Sequence, residues 1–254
     1  MDGPQPEPMI WVRGLVKRFG LRAVLRGLDL QVQAGEFVAL LGPNGAGKTT
    51  FLRILATLSR PNRGEVRLAG YRLPGQAPAA RRVLGLVSHQ PLLYGDLSAW
   101  QNLHFYARLY HLANPRERIA ALLERVGLYA RRRDLVRTFS RGMQQRLAIA
   151  RALLHDPHIL LLDEPYTGLD QDAAARLDAL LQEIAAEGRT VLMASHNLPR
   201  VAALASRFVV LSRGRIAASV SREAISDRDL LDFYRATVMQ DQPTAHAQRG
   251  PAHA

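Results

Sequence analysis

Cysteine is absent from the 254-residue chain, and lysine nearly so: Lys17 and Lys48 are the only two. Without cysteine neither a disulfide nor a thiolate metal site can form, a composition at home in a reducing compartment. No apolar run approaches the roughly 18 residues that a membrane-spanning helix needs. The opening MDGPQPEPMI lacks the basic and apolar regions of a signal peptide. The expectation is a cytoplasmic chain, docked to something else.

Signatures of nucleic-acid binding are also missing. The formal charge is +12, and arginine carries almost all of it; between 108 and 151 eleven arginines stand against three acids. Charge of this sign attracts nucleic acid or anionic lipid. Yet no zinc-finger spacing, stacking aromatics or basic helix accompanies it, so nucleic acid is not an expected partner. A plain basic surface, or one that docks an acidic or membrane partner, stays open.

What the chain does have is 48% hydrophobic residues, enough to bury a core in one or two domains. Residues 1–8 and 241–254 are rich in Pro, Gln, Ala and His and read as disordered tails, with His246 and His253 standing alone rather than as a metal site. Short apolar or alternating runs punctuated by glycine predict strands near the start, at 37–42, 159–162, 190–194 and 208–211. Helical spacing is expected over 48–58, with Phe51, Leu52, Leu55 and Leu58 on one side, over much of 95–155, over 171–186 and near 222–239. Two antiparallel strands should meet at the RGR turn near 213–215.

GPNGAGKT at 42–49 matches G-x-x-x-x-G-K-[ST] between a buried strand and a helix, where the motif has to lie. The stretch Gly42, Pro43, Asn44, Gly45, Ala46, Gly47 is expected to curl its backbone N–H groups inward as an anion nest. The helix that begins near Lys48 adds its positive end. Lys48 would reach the β- and γ-phosphates of a nucleotide, Thr49 would give its hydroxyl to Mg²⁺, and Thr50 could add a phosphate contact. The bland alternative is a glycine-rich turn. In ILLLDEPYTGLD (159–170) two adjacent carboxylates end a greasy strand, where they cost desolvation unless a cation meets them. Asp163 is the expected magnesium carboxylate, and Glu164 the residue that orients or deprotonates attacking water. The alternative is a buried acid pair in a structural network.

The remaining motifs, in order and spacing, resemble the ATP-binding cassette family over about residues 9–220. VSHQP (87–91) is similar to its glutamine loop, which implies Gln90 near magnesium and the attacking water. FSRGMQQR (139–146) stands at the family signature. Its Ser140 and Gly142 are implied to touch, in trans, the γ-phosphate held by a second subunit. GLD (168–170) resembles the D-loop and brings Asp170 to the nucleotide. MASHN (193–197) puts His196 in the switch-histidine place, and Phe19 resembles the adenine-stacking aromatic. Arg141 and Met143 depart from the usual glycine and glutamine of the signature, but with Glu164 and His196 in place the site is read as active.

The resemblance implies an α/β P-loop NTPase core with an antiparallel β subdomain and a helical insertion (about 91–155), in one nucleotide-binding unit over 9–240. It implies ATP and Mg²⁺ as ligands and ATP hydrolysis as the activity. A homodimer or a pair with a relative is expected, because each site needs a signature from another subunit. Integral membrane permease subunits, met at the cytoplasmic face of the cell membrane, are the expected partners. SHQPLLYGDLSAWQNLHFYARLY (88–110) and the aromatic Tyr166 resemble the haem-exporter ATPases of cytochrome c maturation, which makes haem export the expected task. A drug, polysaccharide or lipid exporter is the alternative, and a non-transport cassette in DNA repair or translation a further one. Leu92, Leu93 and Trp100 are expected to supply burial for the permease, or else to close the domain core.

Overall fold

The buried strands alternate their side chains between two cores. From the central strand, Phe37, Ala39 and Leu41 face one cluster, while Val38 and Leu40 face the other. The same split runs through Leu160 and Leu162 against Ile159 and Leu161. Such strands are apolar throughout because both faces of the sheet are covered.

The computed structural model describes residues 7–241; most of the two expected tails, with His246 and His253, lies outside the described residues. The chain opens with β1 (Ile10–Phe19) and β2 (Arg22–Val32), then β3 (Phe37–Leu41), α1 (Lys48–Leu55), β4 (Arg63–Leu68), β5 (Tyr71–Leu73), α2 (Ala77–Arg82) and β6 (Leu84–Val87). The helical part follows with α3 (Ala99–Leu109), α4 (Pro115–Arg125) and α5 (Arg141–Leu153). Then come β7 (Ile159–Asp163), α6 (Gln171–Ala186), β8 (Thr190–Ala194), α7 (Leu198–Ala202), β9 (Arg207–Ser212), β10 (Arg215–Ser221) and α8 (Asp227–Gln240).

One sheet is antiparallel, in the order β2-β1-β4-β5; the other runs β10-β9-β3-β8-β7-β6. In the second sheet every pair is parallel except β10 with β9, which meet at the expected turn. The core is thus the expected parallel α/β arrangement, with an antiparallel β subdomain and a helical insertion. On one face α1 packs Phe51, Leu52, Ile54 and Leu55 into the core shared with the antiparallel sheet. Each such side chain contributes about 1.5–3 kcal/mol of apolar burial before entropy is counted. On the other face the helical part, α5 included, packs with α6 in the second core.

Helix α1 stops earlier than its apolar pattern suggested. Thr57 takes a left-handed φ of 62°, and Leu58 is left exposed beyond the turn instead of sharing the buried side. The arginines between 108 and 151 are used mostly as internal ties. Arg118 donates to the Leu153 carbonyl, Arg146 to that of Val126 and Arg151 to that of Leu86, while Arg125 pairs with Glu187 and Arg137 with Asp96.

Candidate functional site

Ligands of open α/β sheets gather at the carboxyl ends of parallel strands, and here β3, β6, β7 and β8 deliver the candidate residues to that edge. After β3 the loop 42–47 turns through Gly42, Gly45 and Gly47, with φ of 153°, 79° and 114°. A Cβ on Gly42 would stand 2.2 Å from the Leu211 carbonyl oxygen, and one on Gly47 2.8 Å from Leu25 Cδ2. The backbone approach at Gly42 and the left-handed φ at Gly47 both favour glycine. Lys48, buried at the head of α1, folds back and donates to the carbonyls of Gly42 (2.7 Å) and Pro43 (3.4 Å). The loop, Lys48, Thr49, Thr50 and Glu164 line a groove of about 320 Å³, which Arg22 and Val24 complete.

The two carboxylates at the end of β7 part company. Asp163 is buried, and its Oδ1 accepts from the Thr49 hydroxyl at 3.1 Å. Burial pushes its pKa above the usual carboxylate value; the Thr49 bond opposes that rise, the neighbouring Glu164 charge adds to it, and nearby His89 and Lys48 oppose it. Glu164 takes a left-handed φ of 51°, an uncommon and costly conformation for a residue with a side chain. The chain turns there, and the second carboxylate meets other partners. Glu164 Oε2 lies 2.8 Å from His196 Nδ1 and accepts from the His196 backbone N–H at 3.3 Å, while Oε1 lies 3.8 Å from Lys48 Nζ. A carboxylate acceptor places the imidazole proton on Nδ1.

Loop, lysine, hydroxyl and both carboxylates thus come together with His196. A buried carboxylate whose charge is disfavoured, beside a threonine hydroxyl and a backbone cradle that favours glycine, is an oxygen donor set suited to Mg²⁺ with phosphate. Gln90 is exposed on the loop after β6 and outside the groove lining; its carbonyl accepts from the Ser88 hydroxyl at 2.6 Å. That loop is tied to the helical part, since the Leu92 carbonyl accepts from the Tyr106 hydroxyl at 2.7 Å. Phe19 is exposed with the Lys17 ammonium 4.9 Å from its ring centroid, and it too lies outside the groove lining.

Ser140 and Asp170 are helix caps. The Ser140 hydroxyl accepts from Met143 N at the head of α5, and Asp170 from Ala173 N at the head of α6. Gly142 is buried where α5 meets α6; a Cβ there would stand 2.7 Å from Ala173 Cβ. Arg141 lies against Gly168, whose added Cβ would meet its guanidinium at 2.8 Å. The signature and the 168–170 turn are one packed unit within the chain. Sequence reasoning missed Arg22 and Val24 in the groove and His89 beside Asp163, because none carries a motif.

Among known proteins, a family model described as "ABC transporter" matches residues 25–167. The chain belongs to the ATP-binding cassette transporter family. As an ATP-binding cassette ATPase it hydrolyses ATP. The daunorubicin resistance ATP-binding protein of Streptomyces coeruleorubidus is 41% identical over 211 residues, 82% of this chain and 67% of that protein. The Nod factor export ATP-binding protein I of Ralstonia nicotianae is 37% identical, over 89% of this chain and 73% of its own length. A solved dimer of an ATP-binding cassette in a post-hydrolysis state with ADP and Pi superposes with a TM-score of 0.77 at 27% identity, covering 84% of this chain and 99% of that one. Among the described residues no helix is long and apolar enough to cross a membrane.

Proposed function

We propose that this cassette powers a membrane exporter of drug, polysaccharide or lipid cargo, in place of the haem export that the sequence resemblance suggested. The observation that carries the cargo class is the likeness to drug-resistance and Nod-factor ATPases over more than four fifths of the chain. Haem export keeps only the support of Tyr166 and the 88–110 stretch.

In the proposed reaction the 42–47 backbone and Lys48 hold the β- and γ-phosphates of ATP, and Thr50 adds a contact. Lys48 leaves the Gly42 and Pro43 carbonyls to do so. Thr49 and Asp163 hold Mg²⁺, which when bound supplies charge neutralisation to the phosphates. Glu164 orients water and accepts its proton, while His196 holds Glu164 through Nδ1 and presents its other nitrogen to the γ-phosphate. Gln90 joins the site as the 88–92 loop moves with the helical part. Phe19 supplies a face for adenine. A second copy or a relative brings Ser140 and Gly142 to the same phosphates, a pairing supported by the dimeric state of the solved relative, while Asp170 meets the nucleotide from the 168–170 turn. The helical part then passes dimer closure to integral membrane subunits at the cytoplasmic face.

For that dock the burial expected from Leu93 and Trp100 is already used, because both pack partly against the core of their own chain. Leu92, Tyr94, Phe105 and Leu109 are the exposed apolar groups beside them. Single cysteines placed at 94–98 in this cysteine-free chain test the proposal by crosslinking in native membranes. Capture of a drug, polysaccharide or lipid permease is expected. Capture of a haem-export permease would overturn the cargo class, and capture of none with ATPase activity intact would overturn the dock.

A further inference from the structure

Tyr166 is nearly buried between Glu164 and the 168–170 turn, yet the reaction above makes no use of it. Its hydroxyl donates to Asp178 Oδ1 at 2.6 Å. The other Asp178 oxygen pairs with Arg200 Nη1, and the Arg200 guanidinium carbon lies 5.5 Å from the Tyr166 ring centroid. Three elements meet at this trio: the segment leaving β7, the middle of α6, and α7. Helix α7 starts at Leu198, and Asn197, directly after His196, caps it by accepting from Arg200 N.

The segments leaving β7 and β8 are therefore joined twice. One joint is direct, Glu164 to His196, but the His196 side chain is 68% exposed. A pair that open to water holds its geometry weakly. The other joint runs through Tyr166, Asp178 and Arg200, where the Asp178 and Arg200 side chains are only about a quarter exposed. Charge-assisted bonds in such surroundings are stronger and more directional. Burial and the Asp178 bond also raise the phenol pKa, so Tyr166 stays a donor. Filling this space with apolar side chains would avoid the desolvation of three polar groups. Their presence calls for a role in holding geometry.

We propose that Tyr166, Asp178 and Arg200 form a positioning clamp, which fixes the 195–202 segment against the Glu164 segment and so keeps His196 on Glu164 during turnover. The clamp rests on the reading of Glu164 and His196 as catalytic. Tyr166 to Arg200 is a device of this chain's own side chains, separate from the nucleotide contacts.

Tyr166→Phe deletes only the hydroxyl and keeps the ring. In the full-length chain it lowers kcat for ATP about tenfold and leaves KM unchanged, because geometry at the transition state is lost and not nucleotide binding. In a His196→Ala background Tyr166→Phe costs nothing further, since the clamp acts through that histidine. Arg200→Lys recovers part of the activity lost in Arg200→Ala, which gives the same cycle a second entry if the tyrosine variant folds poorly. Wild-type turnover in both Tyr166→Phe and Arg200→Ala would overturn the clamp, as would losses that add to that of His196→Ala. Wild-type turnover in His196→Ala itself would remove the catalytic reading, and the clamp with it.

Discussion

Asp163→Asn separates what the site costs from what it gains. In the nucleotide-free chain burial raises the Asp163 pKa, with the Glu164 charge adding to the rise and the Thr49 bond limiting it. A carboxyl whose folded pKa exceeds its unfolded value of about 3.9 contributes most to stability below that value. The contribution is lost as pH rises through the folded pKa. At neutral pH ionised Asp163 therefore opposes folding, by about 1.4 kcal/mol for each unit of elevation. Asparagine cannot ionise and can still pair with the Thr49 hydroxyl. The nucleotide-free variant should melt at or above the wild-type temperature near neutral pH, with a shallower loss of stability as pH rises from about 4. Mg-ATP should reverse the order. At a ligand concentration of 100 times Kd the wild type gains about 2.7 kcal/mol. That corresponds to roughly 5–11 °C for a chain of this length, and the variant should lose most of it. Thermal melts across pH, with and without Mg-ATP, measure both arms. A variant that melts well below wild type without nucleotide, at every pH, would refute the claim that this carboxylate is held at a cost.

Lys48→Ala should remove most affinity for ATP, as read by equilibrium binding of a labelled nucleotide; the only other lysine, Lys17, is engaged with the Arg60 carbonyl. Near-wild-type binding would refute its phosphate role. Gly142→Ala should destabilise the chain by about 1–3 kcal/mol through overpacking against Ala173. Denaturant titration of the Gly142→Ala, Ala173→Gly double variant should show recovery, and its absence would place the crowding elsewhere.

The shape of the 42–49 loop was legible because its demands are local: three glycines, a lysine and a threonine at fixed spacing between a buried strand and a helix. The divergence of Asp163 and Glu164 was legible in outline, as adjacent carboxylates on an extended strand point apart. The left-handed turn at Glu164 that carries the divergence was not, since nothing in the residue type favours it. The partners of Tyr166 were hidden for a different reason. Asp178 lies 12 residues away and Arg200 a further 22, on another element, so only the tertiary fold brings them together. Likewise the early end of α1 turns on one left-handed threonine that apolar periodicity does not register. The cargo was the least legible part. A resemblance confined to 88–110 and one aromatic pointed to haem, whereas likeness along most of the chain favours drug and Nod-factor exporters.

In the proposed mechanism Glu164 performs the chemistry in a dimer that ATP closes. Glu164→Gln keeps the shape and hydrogen-bonding reach of the side chain and removes its basicity. Gel filtration with Mg-ATP, run beside an assay of phosphate release, separates nucleotide binding and dimer closure from turnover. The variant should bind ATP, release almost no phosphate and elute as a dimer, while the wild type hydrolyses its ATP and returns to monomer. Phosphate release by the variant at the wild-type rate would contradict the mechanism.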